Sequence, residues 1–385
     1  MLNRSSTSTA LRLAQGFPVL AITGPRQSGK TTLARTLFSG KPYVSLEDPE
    51  ERAFAADDPR GFLARFPQGA ILDEVQRCPD LFSYLQGVVD TRRRMGEFIL
   101  TGSQQFGLMS SISQSLAGRV GLLQLLPFSL AELQAGNVLP ASLDEVLLQG
   151  CYPPLYDRPV APGDWFPNYV STYLERDVRQ LLAVRDLSLF QRFLKMCAAR
   201  SGQLLNLSAL AADCGISHVT AREWLTVLEA SYIVFLLRPY HRNFGKRLVK
   251  MPKLYFLDTG LMAYLLGIRD AGSLAIHASR GALFEALVVS EWVKRQFNAG
   301  QPAELYFWRD NVGLEVDLLV PHGNQFMPVE IKSGATFSSD WTASLRKLSA
   351  LFGDAALPPG IIYGGEGQYE RDGCIVAGWR ALANS

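Results

Sequence analysis

Residues 17–33 read FPVLAIT (17–23) followed by GPRQSGKTTL (24–33): a short apolar run, a glycine-framed turn, and the opening of a helix. An uninterrupted apolar run of this length, ended by glycine, is the pattern of a strand buried on both faces of a parallel sheet. Gly24 to Thr31 matches G-x-x-x-x-G-K-[ST] in full. The glycines let backbone N–H groups curl around phosphate oxygens with no Cβ in the way, and the helix N-terminus adds the positive end of its dipole. The pattern predicts ATP cradled by Gly24, Pro25, Arg26, Gln27, Ser28, Gly29, Lys30, Thr31 and Thr32. Lys30 is expected on the β- and γ-phosphates and the Thr31 hydroxyl on Mg2+.

Further apolar runs carry the argument outward. AILDEV (70–75) contains two adjacent acids. At the carboxyl end of a parallel strand, Asp73 is expected to face the Mg2+ on Thr31, and Glu74 to polarise an attacking water. That favours hydrolysis over phosphoryl transfer to a metabolite. FILT (98–101) leads to Gly102 and Ser103, and Ser103 is expected either to orient the water or to serve as a turn residue. Arg119 stands just before LLQLL (122–126). It is a candidate for stabilising transition-state charge, in cis or from a neighbouring subunit, with a surface ion pair as the alternative.

Strands alternating with helical patterns at 31–38 and 79–90 imply an α/β fold with a doubly wound parallel sheet. The polar residues 1–10 are expected to lead straight into its first strand. The chain has 385 residues, 48% of them hydrophobic and 19% charged, which suits two or three domains with sizeable cores and excludes a disordered or fibrous protein. We divide it into a P-loop core at 1–130, a helical region at 131–205, a unit at 206–275 and a C-terminal α/β unit at 276–385. The five scattered cysteines suit a reducing cytosol, and the four histidines lack zinc-ligand spacing. No run suggests a membrane span or a secretory signal, so a cytoplasmic protein is expected.

Charge is balanced overall, at 38 Lys+Arg against 36 Asp+Glu, but it is distributed unevenly. Six acids fall within 47–58, and six Lys or Arg with no acid fall within 238–253. Residues 207–230 have the rhythm of a helix-turn-helix, with Gly215 at the turn and Ser217 capping the second helix. The strand-like run YIVFLL (232–237) follows, and then Arg238, Arg242, Lys246, Arg247, Lys250 and Lys253 interleave with Tyr240 and Phe244. This is the pattern of a winged helix, expected either to meet DNA phosphates and bases across 206–253 or to pack on the ATPase or a protein partner.

The C-terminal unit opens with a helix at 281–297, followed by strands at 304–308, 314–320, 326–332 and 360–363. Glu285 lies on the apolar face of that helix, whereas Glu291, with Lys294 and Arg295 one turn on, reads as solvated. Glu330 and Lys332 share a strand face, and a hairpin can bring Asp317 beside them. Asp317, Glu330 and Glu285 would then hold Mg2+ or Mn2+, with Lys332 positioning the attacking water, the constellation of metal-dependent nucleases. A nuclease-like fold that binds without cutting is the alternative.

The order of motifs resembles prokaryotic AAA-type ATPases with a C-terminal restriction-endonuclease-like domain. The resemblance rests on GPRQSGKTTL (24–33), LDEVQ (72–76), ILTGSQ (99–104), SLAGRV (115–120), YLERDV (173–178), KLYFLDTGL (253–261) and EVDLL with VEIKSG (315–334). It implies an ASCE-type core with strand order 5-1-4-3-2, a winged helix and a PD-(D/E)XK-like domain. Lys30, Thr31, Asp73 and Glu74 match the Walker positions, and Glu285, Asp317, Glu330 and Lys332 match the nuclease motif. The expected function is ATP hydrolysis controlling a DNA-directed, nuclease-like domain; the alternative is an ATP-dependent switch whose C-terminal domain does not cleave. A homo-oligomer is compatible with either.

Overall fold

The computed structural model describes residues 2–103, 115–174, 186–240 and 249–384. Strands β1 (Val19–Thr23), β2 (Tyr43–Ser45), β3 (Ile71–Asp73), β4 (Phe98–Gly102) and β5 (Val120–Gln124) form one sheet in the order β2-β3-β4-β1-β5. Read from the other edge this is 5-1-4-3-2, and every pairing is parallel. All five residues of β1 are buried, as its unbroken apolar sequence requires.

The chain does not run directly into β1. Residues Thr7–Gly16 form a helix that packs against β1 and β5, correcting the expectation of a polar lead-in. Its serines and threonines mask a helical period carried by the buried Ala10 and Ala14. Arg4, just before it, pairs with the buried Glu132 at 3.2 Å. The acid-rich stretch 47–58 also has a local explanation. Asp48 caps the helix Pro49–Asp57 by accepting from Glu50 N–H, and Asp58 caps Pro59–Ala64 by accepting from Gly61 N–H.

A second, eight-stranded mixed sheet contains β6 (Val234–Pro239), β7 (Lys253–Phe256), β8 (Tyr306–Arg309), β9 (Glu315–His322), β10 (Gln325–Lys332), β11 (Gly360–Tyr363), β12 (Gln368–Arg371) and β13 (Cys374–Gly378). Its order is β12-β13-β11-β10-β9-β8-β6-β7. The antiparallel pair β6–β7 therefore does not stand free. Arg238 and Pro239 pair in parallel with Tyr306 and Phe307 on β8, so the sheet crosses the expected boundary near residue 276. One continuous core runs from Leu126 to Ala383, joining the helices after the P-loop core, the helix pair Leu207–Cys214 and His218–Ala230, and the long helix Arg280–Asn298. All five cysteines are buried and unpaired. Among the described residues, no helix is long and apolar enough to cross a membrane.

Candidate functional site

The turn after β1 is built around glycines that cannot be replaced. Gly24 has φ +152, and a Cβ there would sit 2.0 Å from the Leu125 carbonyl oxygen. Gly29, at φ +92, is the left-handed residue that starts the helix Lys30–Leu37. Lys30 is buried, and its ammonium donates to the carbonyls of Gly24 at 3.0 Å and Pro25 at 2.7 Å. The Thr31 hydroxyl donates to Asp73 Oδ1 at 2.9 Å. Asp73 also accepts from Thr101 at the end of β4 and, at 2.8 Å, from the Tyr43 hydroxyl on β2. Strand order thus brings the carboxyl ends of β1, β3 and β4 to one point, with the Tyr43 side chain reaching in from β2.

Glu74 follows in a left-handed conformation, φ 53, that turns its carboxylate back toward the cleft. Its Oε2 accepts from the Ser103 hydroxyl at 3.0 Å and from Gln76. Burial alone would push this carboxyl up. Lys30 and Arg26 nearby, with the hydrogen bonds from Gln76 and Ser103, outweigh burial and hold it below its ordinary value. A carboxylate kept ionised beside a buried lysine can order and polarise a water.

The cleft over the loop has a volume of about 410 Å³. Arg26, Gln27, Gly29, Lys30, Thr31 and Thr32 line one side, with Asp73 and Glu74 at its end. Sequence reading missed the opposite wall, made by Pro153, Pro154, Asp157 and Arg158. This wall is tied down where the Cys151 N–H donates to the buried Asp258 at 2.7 Å. Tyr232 was also missed. Its hydroxyl lies 2.8 Å from that of Thr23, the residue directly before Gly24.

Arg119 lies at the other end of the sheet. Its carbonyl accepts from Val19 N–H, so it flanks the start of β1, about 16 Å of strand from Gly24 at ~3.3 Å per residue. Its guanidinium holds Asp90 in a two-bond pair at 2.5 and 2.9 Å. The role in cis is thereby corrected to a surface ion pair.

The C-terminal residues do come together. Asp317 on β9 lies one step beyond the pair Leu318–Val329, beside Glu330 on β10, and its Oδ2 accepts from Ile331 N–H at 2.9 Å. Lys332 approaches Glu330 at 2.6 Å and Asp317 at 3.9 Å. Glu285 accepts from the Tyr255 hydroxyl. Between these acids stands Lys253, which had been expected on DNA. Its ammonium is 2.8 Å from Glu315, 3.3 Å from Glu285 and 3.8 Å from Asp317, and its side chain is 4% exposed. Among the described residues, no three acids, histidines or cysteines are grouped so as to hold a metal ion. At this cluster a buried ammonium already stands among the carboxylates. At the phosphate loop the donor set does fit Mg2+: a hydroxyl and a carboxylate, both hard oxygens, meet beside the place for phosphates.

Glu291 is a second correction. It is buried and pairs with the buried Lys294 at 2.7 Å, while its other oxygen accepts from Leu130 N–H at 2.9 Å. The acid and base one turn apart point into the seam between the long helix and residues 129–130, not into solvent. Of the basic segment, Arg242, Phe244, Lys246 and Arg247 lie outside the described residues, as do Gln104 and most of YLERDV (173–178).

A parallel sheet of this order, with a phosphate loop after β1 and paired acids at the end of β3, defines a P-loop ATPase of the AAA type. The model for an AAA domain matches residues 16–134, and two domains of unknown function, DUF8612 and DUF4143, match 140–272 and 280–382. The chain is 33% identical over 382 residues to the uncharacterized protein Rv2008c of Mycobacterium tuberculosis, covering 98% of this chain and 83% of that protein. The same values hold for the uncharacterized protein Mb2031c of Mycobacterium bovis. The chain belongs to the family of these two mycobacterial proteins. Among solved structures, the Walker-type ATPase PABY2304 of Pyrococcus abyssi is 15% identical, covers 69% of this chain and 96% of its own, and has a TM-score of 0.44.

Proposed function

We propose that the protein binds and hydrolyses ATP with Mg2+ and that its nucleotide state is read by a DNA-directed module in the remainder of the chain. One observation carries the ATPase reading: Thr31, Asp73, Glu74 and Ser103 converge on the phosphate loop through hydrogen bonds of 2.9 and 3.0 Å. Thr31 and Asp73 would hold Mg2+, which would supply neutralisation of the phosphate charge. Lys30 exchanges its loop carbonyls for phosphate oxygens, and Glu74, oriented by Ser103, holds the attacking water. The Thr23–Tyr232 hydrogen bond supports communication, since it joins the residue before the loop to the end of the helix His218–Ala230.

The DNA reading rests on the helix pair and on β6–β7, read as a winged helix. The second helix exposes His218, Val219 and Arg222 near its N-terminus, and Arg238 and Lys250 are exposed as well. For the C-terminal domain we favour the form that does not cleave, because Lys253 already neutralises the acids a metal would need. The five buried, unpaired cysteines support a reducing setting.

The test pairs nucleotide titration with DNA binding at several salt concentrations. Lys30→Ala is expected to lose ATP. Replacing Arg242, Lys246 and Arg247 with Ala is expected to lower the slope of log K against log salt by about two to three, at ~0.9 per phosphate on duplex DNA. An unchanged slope and affinity would overturn the DNA reading and leave the ATPase standing.

A further inference from the structure

We propose that Lys253 is the resident cation of the C-terminal carboxylate cluster: its ammonium stands among Glu285, Glu315 and Asp317 in place of a divalent metal, and the domain works without metal. The inference rests on the non-cleaving reading and deepens it.

An ammonium has three N–H donors and no acceptor, so it is satisfied by several carboxylates around one point. Lys253 has such surroundings. Glu315 at 2.8 Å and Glu285 at 3.3 Å are within hydrogen-bonding range, and Asp317 at 3.8 Å completes the charge shell. The Phe307 ring lies beneath it, 5.4 Å from ammonium to centroid. Strand geometry puts it there. Lys253 opens β7, pairs with Leu237 on β6, and forms a bridge to Leu204 on its other side, so its backbone is held by two neighbours. Tyr255, two residues on and facing the same way, donates to Glu285 and keeps that acid turned toward the lysine.

Charge counting leaves little for a divalent cation to neutralise. The cluster has four acids, Glu285, Glu315, Asp317 and Glu330, against Lys253, Lys332 and Arg309, the last pairing with Glu315 at 3.2 Å. One excess negative charge remains, and among the described residues the buried Glu330 Oε2 has no hydrogen-bond partner. A divalent ion entering here would meet a lysine that burial and three carboxylates hold in place, and it would have to displace it.

The experiment is Mn2+ binding to nucleotide-free full-length protein, followed by electron paramagnetic resonance, with DNA cleavage measured alongside. Wild type is expected to show no saturable site tighter than about 1 mM, the weak end for oxygen-ligand sites. Lys253→Met is expected to gain one site, and Lys253→Met with Asp317→Asn to lose it again. A stoichiometric site in wild type that Asp317→Asn abolishes would overturn the proposal. Should Lys253→Met fail to fold, the wild-type and Asp317→Asn pair decides alone. Cleavage in Mn2+ with the Asp317-dependent site present would overturn both the inference and the non-cleaving reading. That site without cleavage would overturn only the inference.

Discussion

Glu74 and Ser103 allow a prediction whose size follows from their contact. Glu74→Gln keeps the shape and the left-handed turn but removes the charge that polarises water. Positioned general bases contribute about 10²- to 10⁴-fold, so kcat should fall by that factor, about 2.7–5.4 kcal/mol of barrier, with ATP binding retained. Ser103→Ala removes one of two donors to Glu74 Oε2, and Gln76 remains to hold it. A loss of about tenfold, ~1.4 kcal/mol, is expected. Because Ser103 acts through Glu74, the double variant should be hardly slower than Glu74→Gln alone. The pH profile adds a signed check. Folding holds the Glu74 carboxyl below its ordinary 4.5, so the base form persists on acidification and the acid limb of kcat should lie below that value. Steady-state phosphate release, with nucleotide affinity measured separately, gives all these quantities. Wild-type turnover by Glu74→Gln, full additivity of the two losses, or an acid limb near pH 6 would each refute the reasoning.

The remaining predictions concern the corrected ion pairs. Glu291→Leu strands Lys294 in a site where its side chain is 1% exposed and leaves Leu130 N–H unpaired, so a loss of about 3–5 kcal/mol is expected. Glu291→Leu with Lys294→Met should recover much of it in thermal unfolding, and equal losses in the single and double variants would show that the pairing is not the cause. Arg119→Ala should leave ATP turnover within about twofold of wild type, since its guanidinium is engaged with Asp90 at the far end of the sheet. A collapse of turnover confined to high protein concentration would restore its role in trans.

By itself the sequence determined the parts whose chemistry is local. The loop 24–31 needs glycines, a lysine and a threonine at fixed spacing, and apolar runs of five or six residues are legible as buried strands. Helix caps are local as well, and Asp48 and Asp58 act on the next few N–H groups. The short strands β2 and β12 were not legible, having too few buried side chains to set a period. Tertiary structure decided which distant charges meet. Lys253 read as one more cation in a basic segment because no acid lies in 238–253; its partners lie 32 to 64 positions later, and those on β9 reach it through the pairing of β6 with β8 and of β8 with β9. Glu291 and Lys294 show the reverse: helical spacing correctly paired them, but only the packing of the long helix against residues 129–130 buries the pair. A strand or helix period tells which face a side chain takes, whereas the order of strands and the seams between elements decide what that face meets.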